Sequence, residues 1–254
     1  MKKFLCLLSA VALVFVSCSK DDNDSSSPVS SILVKKIIDI DIDGSSSTRN
    51  YEYNGNKIVS MTEGGLLSKY TYAGDYITKI EEFDTEGKVD LTTEYSYTNG
   101  KLASSVGKNT GSENYDKTTY IHNADGTVTY TNFRGNSKTG IEQADGVTGK
   151  CTFQNGNMVK LEVFYDGGED SYVYEYDTKN HPLKNVTGFG LLLDDETLVN
   201  NLVKKTATSV SGAKIRTIIT TYGYKYDANN YPTEKVESYQ SGDFVSTQTT
   251  QYAY

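Results

Sequence analysis

No apolar run in this 254-residue chain is long enough to cross a bilayer as a helix. The longest, Phe4 to Val16, holds 13 residues, against the roughly 20 that a ~30 Å hydrocarbon core demands. A basic surplus is also missing: 25 Lys and Arg face 33 Asp and Glu, a net charge of −8. That balance excludes nucleic acid, whose phosphates require a basic surface. It equally excludes a folded face lying on anionic lipid. Histidine occurs only at His122 and His181, too dispersed for a Cys/His zinc site. The patterns G-x-S-x-G, G-x-x-x-x-G-K-[ST] and H-E-x-x-H do not occur, which removes the common signatures of serine hydrolases, phosphate loops and zinc proteases. Tryptophan is absent, and tyrosine is the dominant large residue, 21 against 8 Phe. Tyr, Thr and Val together favour pleated, partly wet strands.

What is present begins at the N-terminus. Lys2 and Lys3 precede the apolar run and Ser17-Cys18 closes it, the layout of a secretory signal. Phe15-Val16-Ser17-Cys18 resembles a bacterial lipobox. The resemblance implies cleavage between Ser17 and Cys18 and lipid on the Cys18 sulfur, with several acyl chains anchoring the protein at ~0.8 kcal/mol per buried CH2. Ser19-Lys20-Asp21-Asp22-Asn23-Asp24 is similar to the Lys-Asp-Asp export signal of Bacteroidota surface lipoproteins. That likeness implies the outer face of the outer membrane; by composition alone the same stretch reads as a solvated linker. Ser25 to Ser31 extend it with polar, weakly ordered chain. The expected organisation is a signal peptide at 1–17, a lipidated cysteine and linker at 18–31, and one folded domain at 32–254. Losing residues 1–17 removes Lys2 and Lys3, leaving 23 basic against 33 acidic residues, a net −10. Cys6 leaves with the signal and Cys18 is acylated, so Cys151 stands alone as a small strand residue with no intramolecular disulfide.

A self-similar unit runs through the domain. It opens on aromatics at alternate positions: Tyr51 and Tyr53, Tyr70 and Tyr72, Tyr95 and Tyr97, Tyr120 and His122, Cys151 and Phe153, Tyr174 and Tyr176, Tyr224 and Tyr226, Tyr252 and Tyr254. The second members lie 19, 25, 25, 31, 23, 50 and 28 residues apart, and the 50 marks a unit disguised or replaced. Turn chemistry follows most pairs: Asn54-Gly55, Ala73-Gly74, Asn99-Gly100, Asp125-Gly126 and Asn155-Gly156. Asn-Gly and Asp-Gly between apolar runs are the strongest short hairpin signal. Apolar residues then recur at steps of three, as in Ile58 and Met61, Ile77 and Ile80, and Met158 and Leu161. Plain alternation has period two. A bulge, which adds one residue and switches the face, reconciles the step with a strand. The fold class expected is all-β. Repeated antiparallel hairpins stack into a curled or spiral sheet, the alternative being a closed sandwich or barrel.

The unit Tyr-x-Tyr, turn, then Leu or Ile is similar to the YD repeats of RHS proteins, whose hairpins build a spiral β-shell. Tyr176-Asp177 to Pro182 and Tyr226-Asp227 to Pro232 carry the likeness most distinctly. With the lipobox, the chain resembles a family of Bacteroidota lipoproteins with YD-like repeats. The resemblance brings no catalytic residue to any position, and the chain is too short to enclose a second domain.

Residues 188–205 break the repeat. Leu198, Val199, Leu202 and Val203 follow Asp194-Asp195-Glu196 at helical spacing. This predicts a short helix near 194–205, covering an end or edge of the sheet or acting as a lid. Asp39, Asp41, Asp43 and Gly44 match the first half of a calcium loop, but its twelfth position is Asn50, where a bidentate Glu is required. Their alternation with Ile38, Ile40 and Ile42 reads as a strand with one wet face. Asp166-Gly167-Gly168-Glu169-Asp170 reads as a hairpin tip. The expectation is a non-catalytic, lipid-anchored outer-membrane protein exposed at the cell surface. It needs no cofactor or metal and binds an extracellular glycan or protein. The alternatives are an accessory component of an outer-membrane complex, or a surface glycan hydrolase with paired carboxylates ~5–9 Å apart.

Overall fold

The expected turns reverse the chain where the sequence places them. Asn99 and Gly100 both take positive φ (53° and 77°), as do Asn155 and Gly156 (53° and 81°). Two successive left-handed residues make the tight hairpin turn whose twist matches its flanking strands. The computed structural model describes residues 31–193, 199–241 and 244–254. Among them run sixteen strands. The first eight are β1 (Lys36–Ile40), β2 (Ser46–Asn54), β3 (Lys57–Glu63), β4 (Leu66–Ala73), β5 (Tyr76–Phe83), β6 (Val89–Thr98), β7 (Lys101–Asn109) and β8 (Asn114–His122). The rest are β9 (Val128–Asn136), β10 (Glu142–Gln154), β11 (Asn157–Tyr165), β12 (Gly168–Tyr176), β13 (Leu202–Ser211), β14 (Lys214–Tyr226), β15 (Pro232–Ser241) and β16 (Phe244–Ala253).

Each strand pairs antiparallel with the next, and β1 pairs with β16. The sheet is therefore a closed barrel, and the curled or spiral open sheet is corrected. Lys36 meets Ala253 and Ile40 meets Thr249, so both free edges disappear. The all-β class stands.

The short helix expected near 194–205 is also corrected. Residues 194–198 lie outside the described residues, and Leu202 onward is β13, paired with β12 and β14. Among the described residues the one helical turn is a 3-10 turn at Phe189–Leu191. In the 50-residue interval between Tyr176 and Tyr226, β13 and β14 form the hairpin, and the stretch from 177 to 201 stands where a short turn would otherwise join β12 to β13.

The bulges are present, and they explain the steps of three. Tyr53 faces Ile58 while Glu52 faces Ser60, leaving Val59 as the extra residue. The same irregularity follows Ile77, Leu102, Met158, Leu202 and Pro232. Next to five of these bulges, an aromatic side chain from a later strand hydrogen-bonds the carbonyl of the residue just before the extra one. Tyr97 donates to Ile77 O (2.8 Å), His122 Nε2 to Leu102 O (2.8 Å) and Tyr176 to Met158 O (2.7 Å). Tyr224 donates to Leu202 O (2.9 Å) and Tyr254 to Pro232 O (3.0 Å). A bulge disrupts the ladder locally, and a buried carbonyl needs a donor. The alternate aromatic is that donor. Burial and neighbouring Tyr72 and Tyr76 push the Tyr97 hydroxyl up to about 12, and Tyr224 and Tyr254 are raised further, chiefly by burial. These hydroxyls stay protonated, as donors must.

Register assigns the two faces. Ile58, Ile77, Leu102, Val128 and Met158 point inward near the turns that follow the aromatic pairs, at 4% exposure or less. Farther along the barrel the inward row becomes polar: Ser68 faces Glu82, Ser105 faces Thr118, and Thr118 faces Asn132. The outward face carries ion pairs, several of them at central strand positions. Lys79 meets Glu81 (3.0 Å), Lys117 meets Glu142 (2.9 Å), Lys160 meets Glu162 (2.7 Å) and Lys204 meets Glu175 (2.8 Å).

Of segment 177–201, residues 177–193 and 199–201 cover the apolar end as a plug. Leu183 and Val186 are buried with Val34, Ile37 and Ile58, and Phe189 packs beside them. Leu193 packs on the second cluster, around Val128, Cys151, Met158 and Tyr174. Thr187 N–H donates to Asn56 O (2.9 Å) and Asn180 N–H to Asn230 O (2.9 Å), pinning the segment to two hairpin turns. Gly188 passes so close to a third that a Cβ would lie 2.6 Å from Asp75 O, at a φ of +78°. Only glycine suits both constraints.

Candidate functional site

Beneath this plug, inside the barrel, is a cavity of about 160 Å³. Its walls combine the plug residues His181, Pro182 and Leu183 with Asn201 and Leu202 and with inward positions of β1, β2, β14, β15 and β16. Arg49 on β2 lies directly opposite Ile37 on β1. Tyr222 faces Glu237, and Tyr224 faces Lys235, across β14 and β15.

Three polar side chains converge there with atoms left over. Arg49 Nη2 donates to Asp39 Oδ2 at 2.7 Å. Its Nε is buried and makes no hydrogen bond among the described residues, with Glu63 Oε1 3.9 Å away. Burial opposes the guanidinium charge, but Tyr51, Asp39 and Glu63 together hold its pKa above the usual value. Asn201, 1% exposed, directs Nδ2 at Asn180 O (3.2 Å) and Asp177 Oδ2 (3.3 Å). Those acceptors fix the amide orientation, and they leave Asn201 Oδ1 buried with no partner among the described residues. At His181, Leu183 N–H donates to Nδ1 (3.2 Å). Nδ1 is therefore bare, and the neutral ring carries its proton on Nε2. Burial, then the charge of Lys235, pulls the His181 pKa down to about 3. Lys235 Nζ itself lies 3.8 Å from Glu237 Oε2 and 5.7 Å from the Tyr222 ring centroid.

The base of the plug is tied by Asp177. Its Oδ1 accepts from Lys179 N–H (2.8 Å) and Asn201 N–H (3.0 Å), and its Oδ2 accepts from the Tyr226 hydroxyl. Asp227 ties the corresponding turn after β14, accepting from Asn229 N–H (2.9 Å) and Tyr231 N–H (2.8 Å). Asn157 holds the far end of the segment, its Oδ1 accepting from Val199 and Asn200 N–H at 3.1 Å each.

The residues singled out from sequence fall elsewhere. Ser17 and Cys18 lie outside the described residues. Asp39 serves Arg49 and Thr250 (2.6 Å), Asp41 accepts from Gln248 (2.7 Å), and Asp43 caps its own turn through Ser45 N–H (2.9 Å). Among the described residues no group of three or more His, Cys, Asp or Glu side chains gathers in reach of one metal ion. Gly167 and Gly168 form the β11–β12 tip as expected, with Tyr165 donating to Asp170 (3.2 Å). Cys151 is 2% exposed, packed inside the barrel. Arg49 and Asn201 carried no motif, and His181 lay within the Tyr176 to Pro182 repeat without a role of its own, because what joins the three is contact between the plug and a strand distant in sequence.

No family model matches the chain, and no curated protein does. Among solved structures it is similar to a porin-like protein from Bacteroides uniformis, with a TM-score of 0.53 and 12% identity. The match covers 87% of this chain and 97% of that one. At this identity the likeness carries the barrel fold and nothing finer.

Proposed function

We propose that the protein is a non-catalytic binding module of the bacterial outer membrane, held by lipid on Cys18 and exposed at the cell surface. Its barrel stands in water. The observation that carries this reading is the outward wall. Lys79, Lys117 and Lys160 occupy central outward positions on β5, β8 and β11, and Glu81 and Glu162 lie beside two of them. A membrane-spanning barrel shows lipid an apolar band, and a lysine at the midplane costs roughly 2–4 kcal/mol. Three such lysines would cost roughly 6–12 kcal/mol, comparable to the whole stability of a domain, about 5–15 kcal/mol. A wall of this kind suits solvent, and the plugged end suits a receptor better than a diffusion pore.

The porin-like neighbour motivates a second reading, an aqueous channel, since the inward row away from the plug is polar. Two measurements separate them. The Cys18→Ser variant should move from the membrane pellet to the soluble fraction, while the native protein is trimmed by protease added to intact cells. The purified protein should leave planar bilayers without conductance steps. Membrane retention of Cys18→Ser together with discrete conductance would replace the binding module by the channel.

A further inference from the structure

We infer that the cavity under Pro182 is a binding site for a small neutral polyhydroxylated molecule, one sugar unit in size. The inference deepens the binding-module reading and rests on it. The cavity is about 160 Å³, well beyond the ~10–15 Å³ that a single water needs, so it admits several waters or one small molecule. Two buried atoms there have no partner among the described residues, Arg49 Nε–H and Asn201 Oδ1, and the His181 ring, its Nδ1 engaged by Leu183 N–H, adds Nε2–H to the same wall. A hydroxyl both donates and accepts, so a ligand bearing several can satisfy all three with one kind of group.

Charge argues against an anion. Arg49 is already paired with Asp39 at 2.7 Å, and Lys235 has Glu237 at 3.8 Å. Each cation thus already has its carboxylate, and an anion would add a negative charge beside Asp39 and Glu237 that no further cation in the wall balances. The aromatic wall points the same way. Tyr222, Tyr224 and Tyr252 line the cavity, and tyrosine rings pack well against the C–H surface of a sugar ring. A purely apolar ligand would leave the three polar atoms unsatisfied, and each such loss disfavours binding.

The test is saturation-transfer NMR on the full-length lipoprotein in mild detergent. The probes are glucose, galactose and N-acetylglucosamine, with glucuronate and inorganic phosphate as anionic arms. The expected result is saturation transfer from at least one neutral sugar at about 10 mM or below. His181→Phe fills the cavity and removes Nε2–H; Arg49→Lys keeps the charge and removes Nε–H. Each should weaken that sugar by about tenfold or more, the worth of one buried hydrogen bond. Thermal melting shows which variants are folded, and a folded one decides. No transfer from any neutral sugar means a merely hydrated cavity and overturns the proposal. Preferred binding of glucuronate or phosphate overturns it too, as does unchanged affinity in a folded variant. Detergent keeps this readout independent of whether the wall faces water or lipid: a conducting barrel that binds sugar would remove the module reading and keep the site.

Discussion

Acid should weaken this barrel through His181, and the size of the effect follows from its surroundings. In the folded chain burial and Lys235 hold the ring near a pKa of about 3, against about 6.5 when exposed. The groups facing it are Arg49, Lys235, Glu237 and Tyr222, and Leu183 N–H occupies Nδ1. A depressed folded pKa means that the unfolded chain binds the proton first. The stabilisation is therefore complete above about pH 6.5 and is lost as pH falls toward 3. Within that window each pH unit removes about 1.4 kcal/mol, so descent from pH 7 to pH 5 should remove about 2 kcal/mol. Urea unfolding followed by circular dichroism at pH 7, 6 and 5 measures this directly. His181→Phe cannot take up the proton, and carboxylates common to both proteins cancel in the comparison. The native protein should lose about 2 kcal/mol more than the variant between pH 7 and pH 5. Parallel pH profiles for the two would refute the argument that a neutral His181 holds the plug.

Tyr176→Phe removes the donor from the bulge carbonyl at Met158 and should cost about 1–2 kcal/mol in urea unfolding, the penalty for an unsatisfied half-buried acceptor. Gly188→Ala combines a left-handed backbone with a Cβ 2.6 Å from Asp75 O. It should cost about 2–3 kcal/mol and loosen the plug, read as faster amide exchange at Thr187 and Asn180.

The hairpin unit was legible because its information is local. Asn99-Gly100 and Asn155-Gly156 fix their turns within two residues. The steps Ile58 to Met61 and Ile77 to Ile80 record a bulge directly. Closure was not legible. It depends on Ile37 meeting Tyr252 and Asp39 meeting Thr250, and hairpins of this kind read alike in an open or a closed sheet. The helix expectation failed for a related reason. Leu202 and Val203 mimic one turn of a helix, yet Val203 is the bulged residue of β13, and pairing with Tyr176 overrides the local spacing. The cavity was least legible of all. Arg49, His181 and Asn201 are ordinary residues until the plug folds back across strands far from it in sequence. His122, by contrast, was already visible in its place within the aromatic repeat, and it performs the tyrosine's task there.

The proposal that the outer wall faces water can be tested most directly with nitroxide labels. Placed singly at Glu81, Glu162 and Glu175 in the full-length protein reconstituted with vesicles, they report collisions with a water-soluble nickel chelate and with membrane-dissolved oxygen. The account predicts that the nickel chelate dominates at all three positions, as for any polar surface in solvent. A continuous oxygen-accessible belt around those strands would contradict it and place the barrel in the bilayer.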